Sequence, residues 1–329
     1  MVKYFSYFIL IAALTIACHS GKTRKDDEID LGLRKMLKQY NEQIIEGCYE
    51  KNPAKVLELT SKKFRQRFEE GLKQNIVTKG SVFDIDKFVL LNEFHCDGLM
   101  RGVHMDISSG SSGMHDYYLP VIPQSAEIYL TVGYFDTPEK QISLILLWMR
   151  EKGKWRLNFI HAGTLMFCHK DVVDWFEETK LHLLKEEYCD AALKLMVVDK
   201  LLNKEQLPLI YLKEKEIKLQ GKKMVSQIKE KLSFPDEINI LASRPSVFQI
   251  FPNIRNDTLF PVVQYVSKID AKDTISINKE CDSLHRILGD LYKGIDKNHK
   301  SVIYQVFDKK PQTFGATPCY TFRKEFDYE

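Results

Sequence analysis

The sequence predicts an α+β protein in which a cone-like antiparallel sheet covered by helices is followed by a helical segment and a second, smaller α+β domain. Three patterns support this class. Apolar residues recur at three- and four-residue steps over residues 31–72, apolar and polar side chains alternate over 125–134, and a β-β-α-β-β order runs through 238–329. The chain of 329 residues, 44% hydrophobic and 28% charged, is long enough for two or three globular domains.

The N-terminus has the composition of an export signal. Lys3 precedes an apolar run from Tyr4 to Ala17 that only two hydroxyl side chains interrupt. This run is shorter than the ~20 residues that a membrane-spanning helix needs. Residues 1–17 are therefore predicted to be a signal peptide that is removed from the mature protein.

A cysteine follows this run directly. The segment Thr15-Ile16-Ala17-Cys18 resembles the lipobox of bacterial lipoproteins, in which small residues precede the cysteine that receives lipid. The resemblance implies a protein of the bacterial cell envelope that is anchored in a lipid bilayer by acyl chains, palmitate among them, on Cys18. The outer membrane is the expected membrane, with the domains facing the periplasm or the cell surface. The alternative is an ordinary secretory signal that a cysteine follows by coincidence.

The polar segment that follows lacks an apolar period and predicts a lipidated, flexible tether over residues 18–30. The formal net charge of +3 falls to about +2 when Lys3 leaves with the signal peptide. This charge is too small to indicate nucleic acid as a partner. The Lys-rich stretch 213–231 is interrupted by glutamates and favours a solvated helix face.

Six cysteines remain after Cys18, and their spacing contains no CxxC pair. They are Cys48, Cys96, Cys168, Cys189, Cys281 and Cys319. Thioredoxin-like chemistry and ribbon-type zinc sites are therefore not supported. An oxidising compartment permits disulfides, whereas buried free thiols are the alternative. Because the chain can build large cores without covalent staples, at most a minority of these cysteines is predicted to be bridged.

The first domain opens with two predicted helices over residues 31–72, which meet at Asn52-Pro53. Strands are predicted at 125–134, 141–150 and 155–162. The two-residue turn Lys152-Gly153 joins the last two strands as an antiparallel hairpin.

Two helices and a meander that ends in EKGKWRLNFIH, residues 151–161, are similar to the ketosteroid-isomerase-like or nuclear-transport-factor-like superfamily. In that superfamily helices cover the concave face of a sheet to form a cone. The resemblance covers residues 31–168 and implies the same fold there. Some members isomerise or hydrolyse small molecules with an acid in the cone, and others bind a ligand or pair with a second chain. No catalytic aspartate of the family has a matching position in this sequence.

The predicted hairpin decides which side chains share a face of the sheet. Its register pairs Trp148 with Leu157 and places the aromatic side chains under the opening helices. Any pocket there is predicted to involve His161, Trp148, Trp155 and Phe159. His161 is expected to be a hydrogen-bonded core histidine rather than a base. The opposite, mixed face is expected to meet the 170–203 helices, the C-terminal part or a second copy of the protein.

Residues 169–235 are predicted to form a helical segment that begins with Asp171 as an N-cap and ends at Phe234-Pro235. Residues 236–329 are predicted to form a C-terminal α+β domain. The residues of this domain do not indicate a known family.

The sequence carries no motif of a known catalytic class. It contains no GxSxG, HExxH or phosphate-binding GxxxxGKS, and its histidines and cysteines lack metal-ligand spacing, so neither a metal nor a cofactor is predicted. These observations favour a membrane-anchored envelope lipoprotein that binds a protein partner or a small ligand, including a homodimer formed through the sheet. The alternative is a small-molecule isomerase or hydrolase that uses the cone of the N-terminal domain.

Overall fold

A computed structural model describes residues 21–138, 140–203, 208–312, 317–318 and 320–326. The predicted signal peptide, the lipidation site Cys18 and Cys319 lie outside the described residues. The chain divides into two units. The first takes residues up to Thr137, Gln141–Leu165 and Lys204–Leu212, and the second takes Pro138–Lys140, Met166–Asn203 and Lys213–Glu329. Among the described residues, no helix is both long and apolar enough to cross a bilayer.

Three helices open the first unit. They are α1 (Leu31–Tyr49), α2 (Pro53–Leu59) and α3 (Lys62–Lys79). The side chain of Asp30 caps α1 and that of Asn52 caps α2, while Ser61 accepts a hydrogen bond from the Phe64 backbone N–H and begins α3. The second predicted helix is therefore split in two, because Ser61 offers a better start for a helix than a continuation of one.

Two antiparallel sheets complete the first unit. Their strands are β1 (Lys22–Lys25), β2 (Phe88–Asp97), β3 (Met105–Ser108), β4 (Tyr117–Val121), β5 (Ile128–Asp136), β6 (Lys140–Glu151), β7 (Lys154–Phe167) and β8 (Ile210–Tyr211). The larger sheet has the order β1-β2-β5-β6-β7, and the smaller has the order β3-β4-β8. None of the three strands of the smaller sheet is among the strands predicted from the sequence.

Most of the predicted tether is folded. Residues 22–25 form β1 and pair with β2, from Lys22 opposite Asp97 to Lys25 opposite Phe94. Arg24 forms an ion pair with Asp97, and Asp30 caps α1. The prediction of a flexible tether over 18–30 is thus wrong for residues 22–30. The segment has no apolar period because β1 is an edge strand, and edge strands commonly carry charged side chains.

The hairpin between β6 and β7 has the predicted turn. Lys152 and Gly153 both have positive φ, 49° and 80°, as a two-residue type I′ turn requires. Trp148 on β6 and Trp155 and Leu157 on β7 belong to one buried apolar cluster with the opening helices. The predicted placement of these three side chains on the helix-covered face is confirmed.

Beyond Leu157 the predicted faces are wrong. Phe159 lines a cavity with Leu147 and Met149, on the face opposite Trp148, while Ile160 packs against the helix-side cluster. His161 stacks on Phe159, with ring centroids 6.2 Å apart, and so shares the outer face.

The alternation of β7 shifts by one residue between Leu157 and Ile160, next to the Ser61 backbone N–H, which donates to the Leu157 carbonyl. Part of the mixed face is also covered from within the same unit. Leu147 and Met149 share their cavity with Phe64 of α3 and Leu119 of β4.

The described residues of the second unit form a mixed sheet, four long helices and one short helix. Its elements are α4 (Val172–Leu184), α5 (Tyr188–Leu201), α6 (Glu214–Lys231), β9 (Asp236–Glu237), β10 (Ser246–Arg255), β11 (Thr258–Val266), α7 (Thr274–Leu291), α8 (Ile295–Asn298), β12 (Ser301–Phe307) and β13 (Tyr320–Glu325). Asp171 caps α4 as predicted. The sheet order is β13-β12-β11-β10-β9, with β11 and β12 parallel across the α7 connection.

The predicted fold class, α+β, is confirmed by both units. The predicted helical segment 169–235 does not form a body of its own, because α5 contacts β10 of the C-terminal sheet and belongs to the same unit. The Phe234-Pro235 boundary signal marks a local turn within that unit rather than a division between domains.

Candidate binding sites

The four residues predicted to line a pocket under the opening helices are not brought together. Trp148 and Trp155 are buried in the apolar cluster beneath α1, whereas Phe159 is partly exposed on the other face of the sheet and His161 stacks on it. The two tryptophans fill space rather than border an opening. The register shift in β7 is the reason for the separation.

The space beneath α1 holds a closed set of polar contacts. The indole Nε1 of Trp148 donates to Asn41 Oδ1 at 2.8 Å, and Asn41 Nδ2 donates to Thr131 Oγ1 at 3.0 Å. All three side chains are buried. Each polar group therefore has its partner within the protein, which a buried group needs in order to avoid a desolvation cost of ~1–3 kcal/mol.

A buried acid lies near this set, but it is also paired. Glu93 Oε2 accepts from Arg34 Nε at 2.7 Å, and Glu93 Oε1 accepts from the Tyr129 hydroxyl at 2.7 Å. Burial and the bond to Glu93 raise the pKa of Tyr129, and the bonds to Glu93 and Asp27 raise the pKa of Arg34. A cavity of about 480 Å³ borders Arg34, Asn41 and Glu93. The carboxylate is held as a structural ion pair, unlike a base that awaits a substrate proton.

A larger opening lies in the second unit, between α5 and α6. Its volume is about 720 Å³, and its lining is mostly apolar. The apolar lining comprises Ala192, Leu195, Met196, Val198, Leu202, Ile217, Val225, Ile228, Leu232, Phe234 and Ile250. We call this opening the α5–α6 groove.

Helical periodicity explains why both helices turn an apolar stripe toward the groove. On α5, Ala192, Leu195 and Met196 recur at three- and four-residue steps, and on α6 Ile217 and Val225 lie four residues either side of Gly221. A Cβ added to Gly221 would lie 3.6 Å from Leu195 Cδ1, an ordinary contact. The absence of a side chain at Gly221 thus leaves room between the two helices.

The charged side chains of the groove lie at its edge, and its floor is apolar. Lys218, Lys222 and Lys229 of α6 border it, with Asp199 of α5. Lys218 is paired with Glu214 at 2.5 Å, whereas Lys222 and Lys229 are exposed and have no ion pair among the described residues. The groove therefore combines an apolar floor with a basic edge.

The groove contains no activated nucleophile. Its thiol, Cys189, is fully buried, and burial raises the pKa of Cys189, so the reactive thiolate is disfavoured. Asp199 forms no described pair with a histidine or a second carboxylate, and of the three lysines only Lys218 forms a described ion pair, with Glu214. The arrangement suits binding better than group transfer.

A second cluster in this unit contains metal-ligand types. Ligand atoms of His182, Glu187 and Asp190 lie within 4.8 Å of one another. Asn298 Nδ2 donates to both carboxylates, at 3.2 and 3.0 Å, and Lys194 lies 3.6 Å from Asp190. These contacts balance the acidic charge with protein groups, as in a buried polar network that links helices to a sheet.

No family model, curated protein or solved structure matches this chain.

The α5–α6 groove was missed in the sequence, although its signal is present. The lysines and glutamates of 213–231 favour a solvated helix face, but the residues between them include an apolar set. Ile217, Val225, Ile228 and Leu232 nevertheless recur on one side of a helix. What the sequence alone does not show is that this apolar stripe faces the one on α5.

Proposed function

We propose that this protein is a lipoprotein of the bacterial cell envelope, anchored through lipid on Cys18, that binds an apolar small ligand in the α5–α6 groove. The observation that carries the binding role is an apolar groove of about 720 Å³ with basic groups confined to its edge. This volume lies within the ~300–1,000 Å³ typical of ligand sites. The anchor is supported by the lipobox-like segment that precedes the described residues.

The enzyme alternative finds less support. Glu93, a buried acid of the first unit, is paired with Arg34 and Tyr129. The α5–α6 groove offers only a thiol that burial keeps protonated. Binding without turnover is therefore the function that the described side chains favour.

The groove can be tested by filling it. Gly221→Phe places a large ring where the two helices leave room, and we expect it to abolish the fluorescence enhancement of N-phenyl-1-naphthylamine, a neutral apolar probe. Gly71→Phe is the matched control, because Gly71 is also helical and nothing lies within 4 Å of its added Cβ. Circular dichroism is the check that both variants fold. Equal probe binding by both variants, or none by the wild type, would contradict the proposal.

The anchor can be tested separately. Replacing Cys18 by Ala should abolish metabolic labelling with palmitate and move the protein from the membrane fraction to the soluble fraction or leave it unprocessed. Equal labelling of the variant and the wild type would contradict the lipoprotein assignment. The groove experiment is independent of this result, since it uses purified protein.

A further inference from the structure

One end of the first unit exposes large apolar side chains close to one another. Phe68 is 48% exposed, Met100 54%, Val103 48%, Ile122 54% and Phe159 37%. Single exposed apolar residues are common on protein surfaces, but a cluster of them marks an interaction site.

These side chains lie on segments that neighbour one another in the first unit. Phe68, Ile122 and Phe159 line one cavity of about 330 Å³. The loop that carries Met100 and Val103 is joined to the segment after Ile122 by two backbone bonds, Gly102 N–H to Pro123 O at 2.7 Å and Leu99 N–H to Ala126 O at 3.0 Å. We call this surface, together with the basic groups around it, the aromatic-basic face.

The charge around the face is basic. Lys62, Lys63, Arg67 and Arg101 are exposed and have no ion pair among the described residues. The four segments that build the face, 62–68, 99–104, 119–126 and 154–161, contain no acidic residue. Arg67 lies over the Phe68 ring, 5.3 Å from its centroid, so a cation and an exposed aromatic ring are presented together.

Local stability does not explain this placement of charge. Lys62 and Lys63 occupy the first turn of α3, where the helix dipole disfavours positive charge and favours Asp or Glu. A local conflict of this kind is typical of functional surfaces.

The chain enters the fold beside this face. A Cβ on Gly21 would lie 2.5 Å from Leu99 Cδ2 and 2.6 Å from the Asp97 carbonyl oxygen, so Gly21 is packed against the loop that carries Met100. Because β1 begins at Lys22, only residues 19–21 separate Cys18 from the folded unit. Three extended residues span about 10 Å. A lipid on Cys18 would therefore hold this end of the unit at a bilayer.

We propose that the aromatic-basic face docks on the surface of an anionic lipid bilayer. Aromatic and aliphatic side chains insert at the depth of the headgroups, and lysine and arginine side chains extend to the lipid phosphates. This contact is distinct from the proposed lipid anchor, because it is made by folded residues and should persist in protein that carries no lipid.

The test uses unlipidated protein from His19 to Glu329, which keeps every described residue, in co-sedimentation with vesicles. We expect binding to vesicles of phosphatidylcholine with 30% phosphatidylglycerol, weak binding to phosphatidylcholine alone, and loss of binding at high salt. Each basic residue at an anionic surface contributes a factor of about five. Lys63→Glu with Arg67→Glu should therefore lower the partition coefficient at least about 25-fold.

Two further variants make the result specific. Lys272→Glu with Lys309→Glu changes the net charge equally on exposed residues of the second unit and should retain near wild-type binding. Phe68→Ser should weaken binding without altering its dependence on salt. An equal loss in the two charge variants would show a net-charge effect and overturn the assignment of the face. Failure of the wild type to prefer anionic vesicles would overturn the proposal itself, whatever palmitate labelling shows for Cys18.

Discussion

The Nε2 atom of His299 lies 2.5 Å from Oδ1 of Asp190, and both side chains are buried in the second unit. The other ring nitrogen, Nδ1, faces the Leu259 carbonyl oxygen at 3.2 Å, so each ring nitrogen lies within hydrogen-bond distance of an oxygen. Burial alone would raise the pKa of Asp190, but the bonds and charges of His299, Lys194 and Asn298 lower it to about 2. Asp190 is thus the acceptor that joins α5 to the start of β12.

Removing this acceptor should be costly. Asp190→Asn leaves Lys194 buried without its counter-charge and removes the charged acceptor that faces His299, and we expect the free energy of unfolding in urea to fall by about 3–5 kcal/mol. Asp282→Asn is the control, since its ion pair with Lys324 is half exposed and should be worth less than about 1 kcal/mol. Similar losses in the two variants would contradict the role assigned to burial.

The same pair predicts a pH dependence. Because the folded pKa of Asp190, about 2, lies below its ordinary value of 3.8, its stabilising contribution is complete above pH 4 and is lost as the pH falls toward 2. The shift corresponds to about 2 kcal/mol. The difference in unfolding free energy between wild type and Asp190→Asn should narrow by this amount between pH 4 and pH 2. A constant difference across that range would disprove the depressed pKa.

The elements of the fold were predictable because their signals are local. The alternation of β5, the Asp171 cap and the β-β-α-β-β order of the last domain all appear within short stretches of sequence. The placement of Phe159 was not predictable from the sequence. A shift of one residue in β7 moves every later side chain to the opposite face of the sheet, and this shift lies beside a contact with Ser61, which is distant in sequence. The groove likewise needs stripes from two helices that no local pattern joins.

The left-handed backbone conformation of Gly153 can be tested by comparing Gly→Ala substitutions at Gly153 and Gly71. Gly153 has φ of +80°, where a Cβ is strained, so Gly153→Ala should destabilise the protein by about 1 kcal/mol. Gly71 lies within α3 with open space around its added Cβ, so Gly71→Ala should stabilise by about 0.5–1 kcal/mol. Thermal unfolding of the two variants should shift in opposite directions, and shifts of the same sign would refute this interpretation of the turn.

The five described cysteines are free thiols in the structure. Burial raises the pKa of Cys48 to about 12, and burial with the nearby charge of Asp257 raises that of Cys168 to about 11. We therefore expect slow alkylation of the native protein at pH 8, with Cys168, the least buried, reacting first. Alkylation after unfolding without reductant should modify all five. Mass mapping that finds three native bridges would show the prediction to be wrong.

Glu280 on α7 is buried, and neither of its carboxylate oxygens has a hydrogen-bond partner among the described residues. An unsatisfied buried acceptor costs about 1–3 kcal/mol, and replacing it with an apolar group of similar shape removes that cost. Met has a similar length and flexibility and suits the apolar surroundings of Ile277 and Leu284 on the same helix face. Glu280→Met should therefore raise the free energy of unfolding by about 1–3 kcal/mol.

The matched control for this substitution is Asp290→Asn, an exposed acid on the same helix that should change stability by less than about 0.5 kcal/mol. Denaturation in urea measures both variants, and an unchanged slope confirms that the folded and unfolded states remain comparable. If Glu280→Met lowers stability by more than 1 kcal/mol, the carboxylate has a stabilising partner. Glu280→Gln then helps to separate charge from hydrogen bonding, because it removes the charge and keeps one acceptor oxygen, while the other oxygen is replaced by an NH₂ donor.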